Sequence, residues 1–237
     1  MVGSHANKRK SGKKNKGSRL LARFEIAEDG RAKAPGEAGD LWSALAGSTL
    51  APFMEKPLGT KPLEGDDTKI GERGLDIEGI AVRGGRLLFG LRGPSEGSTA
   101  QILTVDAEAV FVKGAPGADP RVLGVEVGDK RAIRDMQTVK DGVLLLVGPD
   151  DDARDSNSAA WVSWRLLLWD GASPTTTLVG EFDLKDVKPR VFDGCKDKAA
   201  KLEGFAVIED RDDGWLIVTV SDGLCDGGPM WFDVKRS

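Results

Sequence analysis

LDIEGIAVRGGRLLFGLRGP, residues 75–94, contains two apolar runs that are separated by the pair Gly84-Gly85. Adjacent glycines supply the positive φ angles of a tight β-turn, so this stretch is predicted to form an antiparallel hairpin. Pairing of the two strands brings Glu78 and Arg92, which lie near the two ends of the stretch, to the same open end. The apolar middle of the hairpin is then free to pack against neighbouring sheets.

The same pattern occurs twice more along the chain, at 132–150 and at 201–223. Each copy begins with an apolar residue and a charged one, and continues with an alternating run, a turn and a dense apolar strand. The turns are Asp141-Gly142 and Asp213-Gly214, for which positive φ angles are predicted as well. The equivalent charged residues of the three copies are Glu78, Arg134 and Glu203.

The gaps between these hairpins are long enough for two more strands each, since the equivalent charged residues are 56 and 69 positions apart. Strand-like runs fill the gaps at 100–108, 121–128, 161–171 and 176–184. Four strands per unit, at a period of about 50–60 residues, are typical of a β-propeller blade. A β-sandwich has similar short strands, but it does not explain a charged position that recurs at the start of every unit.

We therefore predict an all-β, β-propeller-like fold of about three to four four-stranded blades, partial or open, with one short helical insertion. The third unit ends after its third strand at 229–234, and residues 20–26 are predicted to form an outer strand of an earlier, partial unit. Closed propellers use four to eight blades, so open blade edges are expected here. Such edges favour self-association.

The predicted domain extends over residues 20–237 and contains an insertion at 31–74. Within the insertion, residues 39–54 have apolar positions at helical spacing behind Asp40, which favours one short helix with Asp40 as its N-cap. Residues 1–19 are predicted to be a basic loop or tail.

The composition is that of a globular protein with a substantial core: 237 residues, 40% hydrophobic and 30% charged, with a net charge of −4. Its apolar runs of five to six residues are far shorter than the about 20 that a membrane-spanning helix needs, so no membrane partner is expected. The basic residues within 7–19 are able to bind phosphates. Nucleic acid is nevertheless not an expected partner, because the tract has no aromatic residues and the rest of the chain is acidic.

In a propeller, the loops that lead into the inner strands open on one face. Charged residues of the three hairpins are expected to converge at this channel mouth: Glu78, Arg134, Asp135 and Glu203. Beside them, at the ends of the next strands, we expect Arg92, Pro149, Asp150 and Asp222. Glu78 and Arg92 have two interpretations at this point, an intramolecular ion pair that holds neighbouring loops or part of a ligand site. The residue pattern leaves both open.

Two kinds of chemistry suit these residues. Glu78 and Glu203 are candidates for a general base or for metal ligands, and Arg92 and Arg134 are candidates for binding an anionic phosphate or carboxylate. Paired carboxylates also suit Ca²⁺, a hard cation that binds six to eight oxygen atoms.

Other polar positions are weaker candidates. Asp222 and Asp226 lie in an acidic turn and are candidate metal ligands. The acidic stretch 148–157 lacks the spaced ligands and central glycine of a calcium-binding EF-hand, and it is interpreted as a solvated loop. The single histidine, His5, argues against a histidine metal site and against a Ser-His-Asp triad.

The two cysteines, Cys195 and Cys225, are too few for a disulfide-built scaffold and do not have zinc-site spacing. Cys195 precedes an inner strand and Cys225 follows the next strand, so both loops open on the same face of a blade. A disulfide between them is reasonable and suits an extracytoplasmic protein. Two unrelated thiols are the alternative.

The segment GLDIEGIAVRGGRLLFGLRGP, followed by AIRDM, LLLVGP and KLEGFAV, resembles the bacterial domain of unknown function 3616. That family is propeller-like and similar in style to the esterase-like phytase domains, which also begin blades with an acidic EGIA phrase. The first 25 residues resemble a mid-chain segment of the family, with Ala6 in place of a serine.

The resemblance implies that further blades precede Met1, so this chain is expected to be N-terminally truncated or a separately encoded portion. It also implies that His5 lies on the same face as Arg92 and Asp222. No signal peptide is visible in the first twenty residues. A periplasmic or secreted location is favoured if upstream sequence is missing.

Two hypotheses of function follow. The first is a propeller whose charged channel mouth binds a polar or anionic ligand, or a partner, without chemistry. The second is a phosphoester or carboxylic-ester hydrolase of phytase-like type that uses Glu78, Arg92, Arg134 and Glu203, with Ca²⁺ as a candidate cofactor. The single histidine and the absence of a Gly-x-Ser-x-Gly motif favour binding.

Overall fold

The computed structural model describes residues 1–7, 13–34, 36–56, 74–149, 163–184, 187, 191–192, 194–196 and 200–236. Three parts of the sequence-based interpretation lie outside these residues. They are the acidic stretch from residue 150 onward, residues 8–12 of the basic tract and residues 57–73 of the insertion.

The hairpin at 75–94 is present and is part of a four-stranded antiparallel sheet whose strands follow chain order. Gly84 and Gly85 both have positive φ, 57° and 74°, as the tight turn requires. The strands of this first sheet are β3 (Asp76–Arg83), β4 (Arg86–Glu96), β5 (Thr99–Asp106) and β6 (Arg121–Glu126).

The two later copies of the hairpin begin two further sheets, also with their strands in chain order. The second sheet consists of β7 (Arg131–Val139), β8 (Gly142–Pro149), β9 (Trp164–Trp169) and β10 (Thr176–Phe182). The third sheet has three strands, as predicted, which are β13 (Lys201–Asp210), β14 (Gly214–Asp222) and β15 (Met230–Lys235).

Short elements connect and flank the sheets. The predicted helix is α1 (Leu41–Ala46), and Asp40 caps it because its Oδ1 accepts a hydrogen bond from the Ser43 backbone N–H at 3.1 Å. The remaining strands form two-residue pairs: β1 (Ala22–Arg23) with β2 (Glu37–Ala38), and β11 (Val191–Phe192) with β12 (Cys195–Lys196). Four 3₁₀ turns lie in the described part, at Lys16–Ser18, Ala51–Phe53, Ala109–Phe111 and Cys225–Gly227.

The predicted positive φ angles at the two Asp-Gly turns are wrong, because the residues at those turns do not have left-handed backbone conformations. Glycine is needed there for a different reason. A Cβ on Gly142 would lie 2.2 Å from the Trp169 carbonyl oxygen, and one on Gly214 would lie 2.1 Å from the Val234 carbonyl oxygen. In both sheets the glycine therefore permits the next strand to approach closely.

Apolar side chains fill three layers of core. One layer lies between the first and second sheets and includes Leu88, Ile102 and Leu145. Another lies between the second and third sheets. The third layer covers the other face of the first sheet, where α1 and Leu21 pack against residues such as Phe89.

The first seven residues are part of this third layer. Val2 forms an antiparallel bridge with Leu21, and the Ile77 backbone N–H donates to the Ser4 carbonyl at 2.9 Å. The fold therefore extends in front of residue 20. We call residues 1–7, 13–34 and 36–38 the N-terminal unit.

The architecture is all-β, built from antiparallel sheets of up to four strands that are stacked face to face and do not close on themselves. This is consistent with a partial propeller-like arrangement, in which the first strand of each sheet lies innermost. The inner strands β3, β7 and β13 are neighbours in that order. Their proximity positions the charged residues described below.

The face-to-face stacking of the sheets predicts that apolar side chains buried between them contribute most to the free energy of unfolding. Leu145 is fully buried between the first and second sheets, whereas Leu178 on β10 is 46% exposed. Leu145→Ala is expected to lower the free energy of unfolding by about 2–5 kcal/mol, because it removes buried methyl groups and leaves a cavity. Urea unfolding of the two alanine variants checks this, and a Leu178→Ala effect as large as that of Leu145→Ala would contradict the stacking.

Candidate functional site

The three equivalent charged positions lie on β-bulges. Ile77 and Gly79 pair with consecutive residues of β4, so Glu78 is the extra residue between them. Arg134 and Glu203 occupy the same extra position in the second and third sheets. A bulge bends its strand and redirects the side chain of the extra residue, and bulges are enriched beside functional sites.

The inner strands lie close enough for these side chains to meet. A Cβ on Gly79 would lie 2.4 Å from Met136 Cγ and 3.1 Å from the carbonyl carbon of Asp135. Only glycine at position 79 therefore allows β3 to lie against β7 at this distance. The contact brings Glu78 and Arg134 together.

Arg134 is the central residue of the site. Its Nη1 donates to Glu78 Oε2 at 2.9 Å and lies 3.4 Å from Glu203 Oε2, and its Nη2 donates to the Pro149 carbonyl at 2.7 Å. One guanidinium thus binds carboxylates from the first and third sheets while it is anchored in the second. Such charge-assisted hydrogen bonds are stronger than neutral ones.

Arg92 extends the cluster along the first sheet. Its Nη1 donates to Glu78 Oε1 at 3.0 Å and lies 3.9 Å from Asp76 Oδ2. The two oxygen atoms of Glu78 therefore bind two different arginines. We call this group the central ionic cluster; its members are Asp76, Glu78, Arg92, Arg134 and Glu203.

The cluster is asymmetric with respect to solvent. The Arg134 and Arg92 side chains are 1% and 7% exposed, whereas those of Glu78 and Glu203 are 18% and 30% exposed. Arg134 Nε is buried and has no hydrogen-bond partner in the described part of the chain. The glutamate side chains of the cluster are therefore more accessible to solvent than its arginine side chains.

Asp135, next to Arg134, connects the second sheet to the third. Its Oδ1 accepts from the Met136 backbone N–H at 2.8 Å, and its Oδ2 accepts from the Phe205 backbone N–H at 2.9 Å. Burial raises the pKa of Asp135 to about 6, although both hydrogen bonds act in the opposite direction. Asp135 therefore supports the inner strands beneath the central ionic cluster.

The structure does not bring three other candidates into the cluster by any described contact. His5 is buried, contacts the Gly3 carbonyl through Nδ1 at 2.7 Å and stacks on Trp42 with 6.3 Å between ring centroids. Its burial lowers the pKa of the imidazole, which favours the neutral ring. Asp222 is exposed at the end of β14, and Asp226 is exposed in the following turn, where it has a positive φ of 61°.

Cys195 and Cys225 form a disulfide, with 6.1 Å between their Cα atoms and a sequence separation of 30. The bond joins β12 to the turn after β14. Of the two alternatives for these thiols, the structure thus has the bonded pair. Disulfides persist in oxidising compartments, so an extracytoplasmic location stays a prediction with this bond in its favour.

Two general features of the described residues bear on function. They contain no group of three or more His, Cys, Asp or Glu side chains arranged to hold a metal ion. Within the same residues, every helix is too short or too polar to cross a membrane.

One member of the central ionic cluster, Asp76, was not among the candidate residues predicted from the sequence. Asp76 precedes Glu78 by two residues, and this spacing along a strand places both on one face, a signal that was available in the sequence. Pro149 was expected beside the channel mouth, but the hydrogen bond from Arg134 to its carbonyl was not, because only the pairing of β7 with β8 brings the two together. Trp164, whose ring centroid lies 5.6 Å from the Arg134 guanidinium carbon, is a neighbour that the sequence did not indicate either.

The fold and the cluster together define an all-β protein of open, stacked antiparallel sheets with a charged centre. The family model described as "Protein of unknown function (DUF3616)" matches residues 40–223, and the chain belongs to that family. The match includes the whole central ionic cluster but not His5, Cys225 or Asp226. No curated protein and no solved structure matches the chain.

The burial of Arg134 predicts a large effect on stability. Arg134→Met is expected to lower the free energy of unfolding by about 3–5 kcal/mol, because it leaves Glu78 and Glu203 facing each other without their shared cation. Arg211→Met is a matched control, since Arg211 pairs with Glu209 and Asp233 at the surface and its loss is expected to change little.

Urea unfolding measures both variants. Adding Glu203→Gln to Arg134→Met is expected to recover part of the loss, because it removes a charge that Arg134 no longer compensates, whereas Glu78 keeps its pairing with Arg92. Equal effects of Arg134→Met and Arg211→Met would contradict a stabilising role of the cluster.

Asp135 predicts a pH dependence. Its folded pKa of about 6 is above the unfolded value of 3.8, so the folded state binds more protons between these values. The contribution of Asp135 to stability is therefore largest below about pH 4, falls as the pH rises to about 6, and is constant above. Asp135→Asn does not titrate and serves as the reference.

The measurement is the difference in unfolding free energy between wild type and Asp135→Asn at about pH 4.5 and about pH 7.5. The free energy of unfolding of the wild type, relative to that of Asp135→Asn, is expected to be higher at the lower pH by on the order of 2 kcal/mol. Titration of His5 occurs in both proteins and cancels. Parallel pH profiles would contradict the raised pKa of Asp135.

Proposed function

We propose that this protein binds a polar ligand at the central ionic cluster, through the carboxylates of Glu78 and Glu203. The observation that carries the proposal is the asymmetry of burial: the glutamate side chains are partly exposed, and the arginine side chains that pair with them are buried. Buried arginines fix the orientation of the carboxylates, so little side-chain freedom is lost when a ligand binds.

The same asymmetry indicates which ligands suit the site. Partly exposed carboxylate oxygens accept hydrogen bonds, so they suit hydroxyl groups or ammonium groups. An anionic ligand would have to compete with Glu78 for Arg92 and Arg134, at the cost of leaving a carboxylate uncompensated. The sequence left a polar ligand and an anionic ligand open. The geometry supports a polar or cationic ligand better than an anionic one.

The hydrolase hypothesis stays a prediction, as does the participation of Ca²⁺. The geometry of the described residues supports it less well, because Glu78 binds an arginine through each of its oxygen atoms. That arrangement suits a fixed acceptor better than a group that exchanges protons.

The test is binding to the full chain of three probes that differ in charge: spermidine, glucose and inorganic phosphate. Thermal shift and calorimetry are measured on the wild type, Glu203→Gln and Glu209→Gln. The last is a matched control, because Glu209 is on the same strand but pairs with Arg211 at the surface. Spermidine or glucose is expected to bind, with affinity reduced about 10- to 100-fold by Glu203→Gln and unchanged by Glu209→Gln.

Failure of all three probes to bind, or equal loss in the two variants, would overturn the proposal. Tighter binding of phosphate than of spermidine would overturn the preference for a polar or cationic ligand. Hydrolysis of nitrophenyl phosphate or nitrophenyl acetate, with or without calcium, is the second measurement. Turnover that Glu78→Gln abolishes would overturn a binding role in favour of the hydrolase.

A further inference from the structure

The third sheet exposes an apolar face to solvent. Val220 and Ile208 are 46% and 48% exposed, and Trp231 is 61% exposed. Val218 on β14 pairs with both Ala206 and Trp231, so these residues form one row across the three strands. A contiguous apolar face of this kind marks an interaction surface.

Equivalent positions in the second sheet show what such a face normally contacts. Val218 and Val220 of β14 correspond in register to Leu144 and Leu146 of β8. In both sheets, these second-strand residues pair with the first-strand residues that directly follow the bulge. Leu144 and Leu146 are fully buried against the third sheet. In the second sheet, the equivalent face is covered by the next sheet along the chain. The exposed face of the third sheet is therefore of the type that another sheet covers.

The opposite end of the stack has the complementary type of face. Ile80 corresponds in register to Met136 and Phe205, which pack against the sheet that precedes them. Ile80 instead lines an apolar groove of about 530 Å³ between the first sheet and the N-terminal unit, together with Ile26 and Val82. Ile26 and Val82 are 63% and 55% exposed.

Exposed apolar side chains concentrate at these two ends. Of the eleven large apolar side chains that are exposed in the described part of the chain, eight lie on the third sheet, on the N-terminal unit or beside the groove. Those eight are Met1, Leu20, Phe24, Ile26, Val82, Ile208, Val220 and Trp231.

The two ends also have opposite charge. The described residues of the N-terminal unit contain seven lysines and arginines and four acidic residues, whereas residues 201–236 contain four lysines and arginines and eight acidic residues. Opposite potentials attract and orient two surfaces before contact. The acidic third sheet of one molecule thus suits the basic N-terminal unit of another copy of the same chain.

We propose that two copies of this chain associate head to tail, the exposed face of the third sheet in each copy packing against the groove and N-terminal unit of the other. A head-to-tail contact forms a closed ring when its rotation closes. Here, two copies related by a two-fold axis along the centre of the stack form two identical contacts. Their six sheets and two N-terminal units fall within the four to eight blades of closed propellers.

This inference does not depend on the proposed ligand. It is tested by sedimentation velocity and light scattering of the full chain over a range of concentrations. The expected mass is twice 25.3 kDa. Dissociation is expected to be stronger in about 500 mM than in about 50 mM NaCl, because salt screens the attraction between the acidic and basic ends.

Three variants locate the contact. Trp231→Glu blocks the face of the third sheet, Ile26→Glu blocks the groove, and Leu178→Glu introduces the same charge at an exposed position of β10. The first two are expected to weaken the dimer at least tenfold and the third to leave it unchanged. Near-ultraviolet circular dichroism checks that each variant is folded, which the exposure of all three positions favours.

Mixing the two blocked variants distinguishes head-to-tail from other arrangements. A Trp231→Glu copy retains its groove and an Ile26→Glu copy retains its third-sheet face, so the mixture is expected to form a heterodimer with one intact contact. A monomeric wild type, masses that increase beyond the dimer, or an Ile26→Glu variant that dimerises like the wild type would each overturn the proposal.

Discussion

The Arg134 guanidinium is the interaction on which this structure depends. A buried cation is tolerated only where acceptors surround it, and here the acceptors come from three sheets: Glu78, Glu203 and the Pro149 carbonyl. Each carboxylate reaches Arg134 because a bulge lies at the same register position of its own sheet. The charge therefore constrains how the three hairpins are aligned.

The second sheet transmits this constraint to both of its neighbours. On one side, Asp135 and Gln137 accept hydrogen bonds from the backbone of β13 at 2.9 and 2.8 Å; on the other, Thr138 donates to the Val82 carbonyl at 2.6 Å. Side chains of β7 thus replace the strand-to-strand ladder that is absent between sheets. The same contacts hold β3 and β13, and with them Glu78 and Glu203, on either side of Arg134.

Much of the fold and part of the site were predictable from the residue pattern. Alternation and turn glycines identified the hairpins, and the recurrence of a charged residue after an apolar one predicted that Glu78, Arg134 and Glu203 meet. The same reasoning failed at the Asp-Gly turns. It assigned Gly142 a backbone angle when the actual requirement is space for the carbonyl of a strand 27 positions away. It also did not predict the stacking of His5 on Trp42, because Trp42 lies in another segment of the chain.

By itself, the sequence determined the repeated hairpins, their recurring charged positions and the family, because these depend on residues that are close in the chain. Only the tertiary structure decided that the arginines are buried and the carboxylates partly exposed. Burial of Arg134 depends on residues from 78 to 203, and no local pattern encodes which member of an ion pair faces solvent. Desolvation is a property of the assembled sheets, since it depends on everything that surrounds a charge.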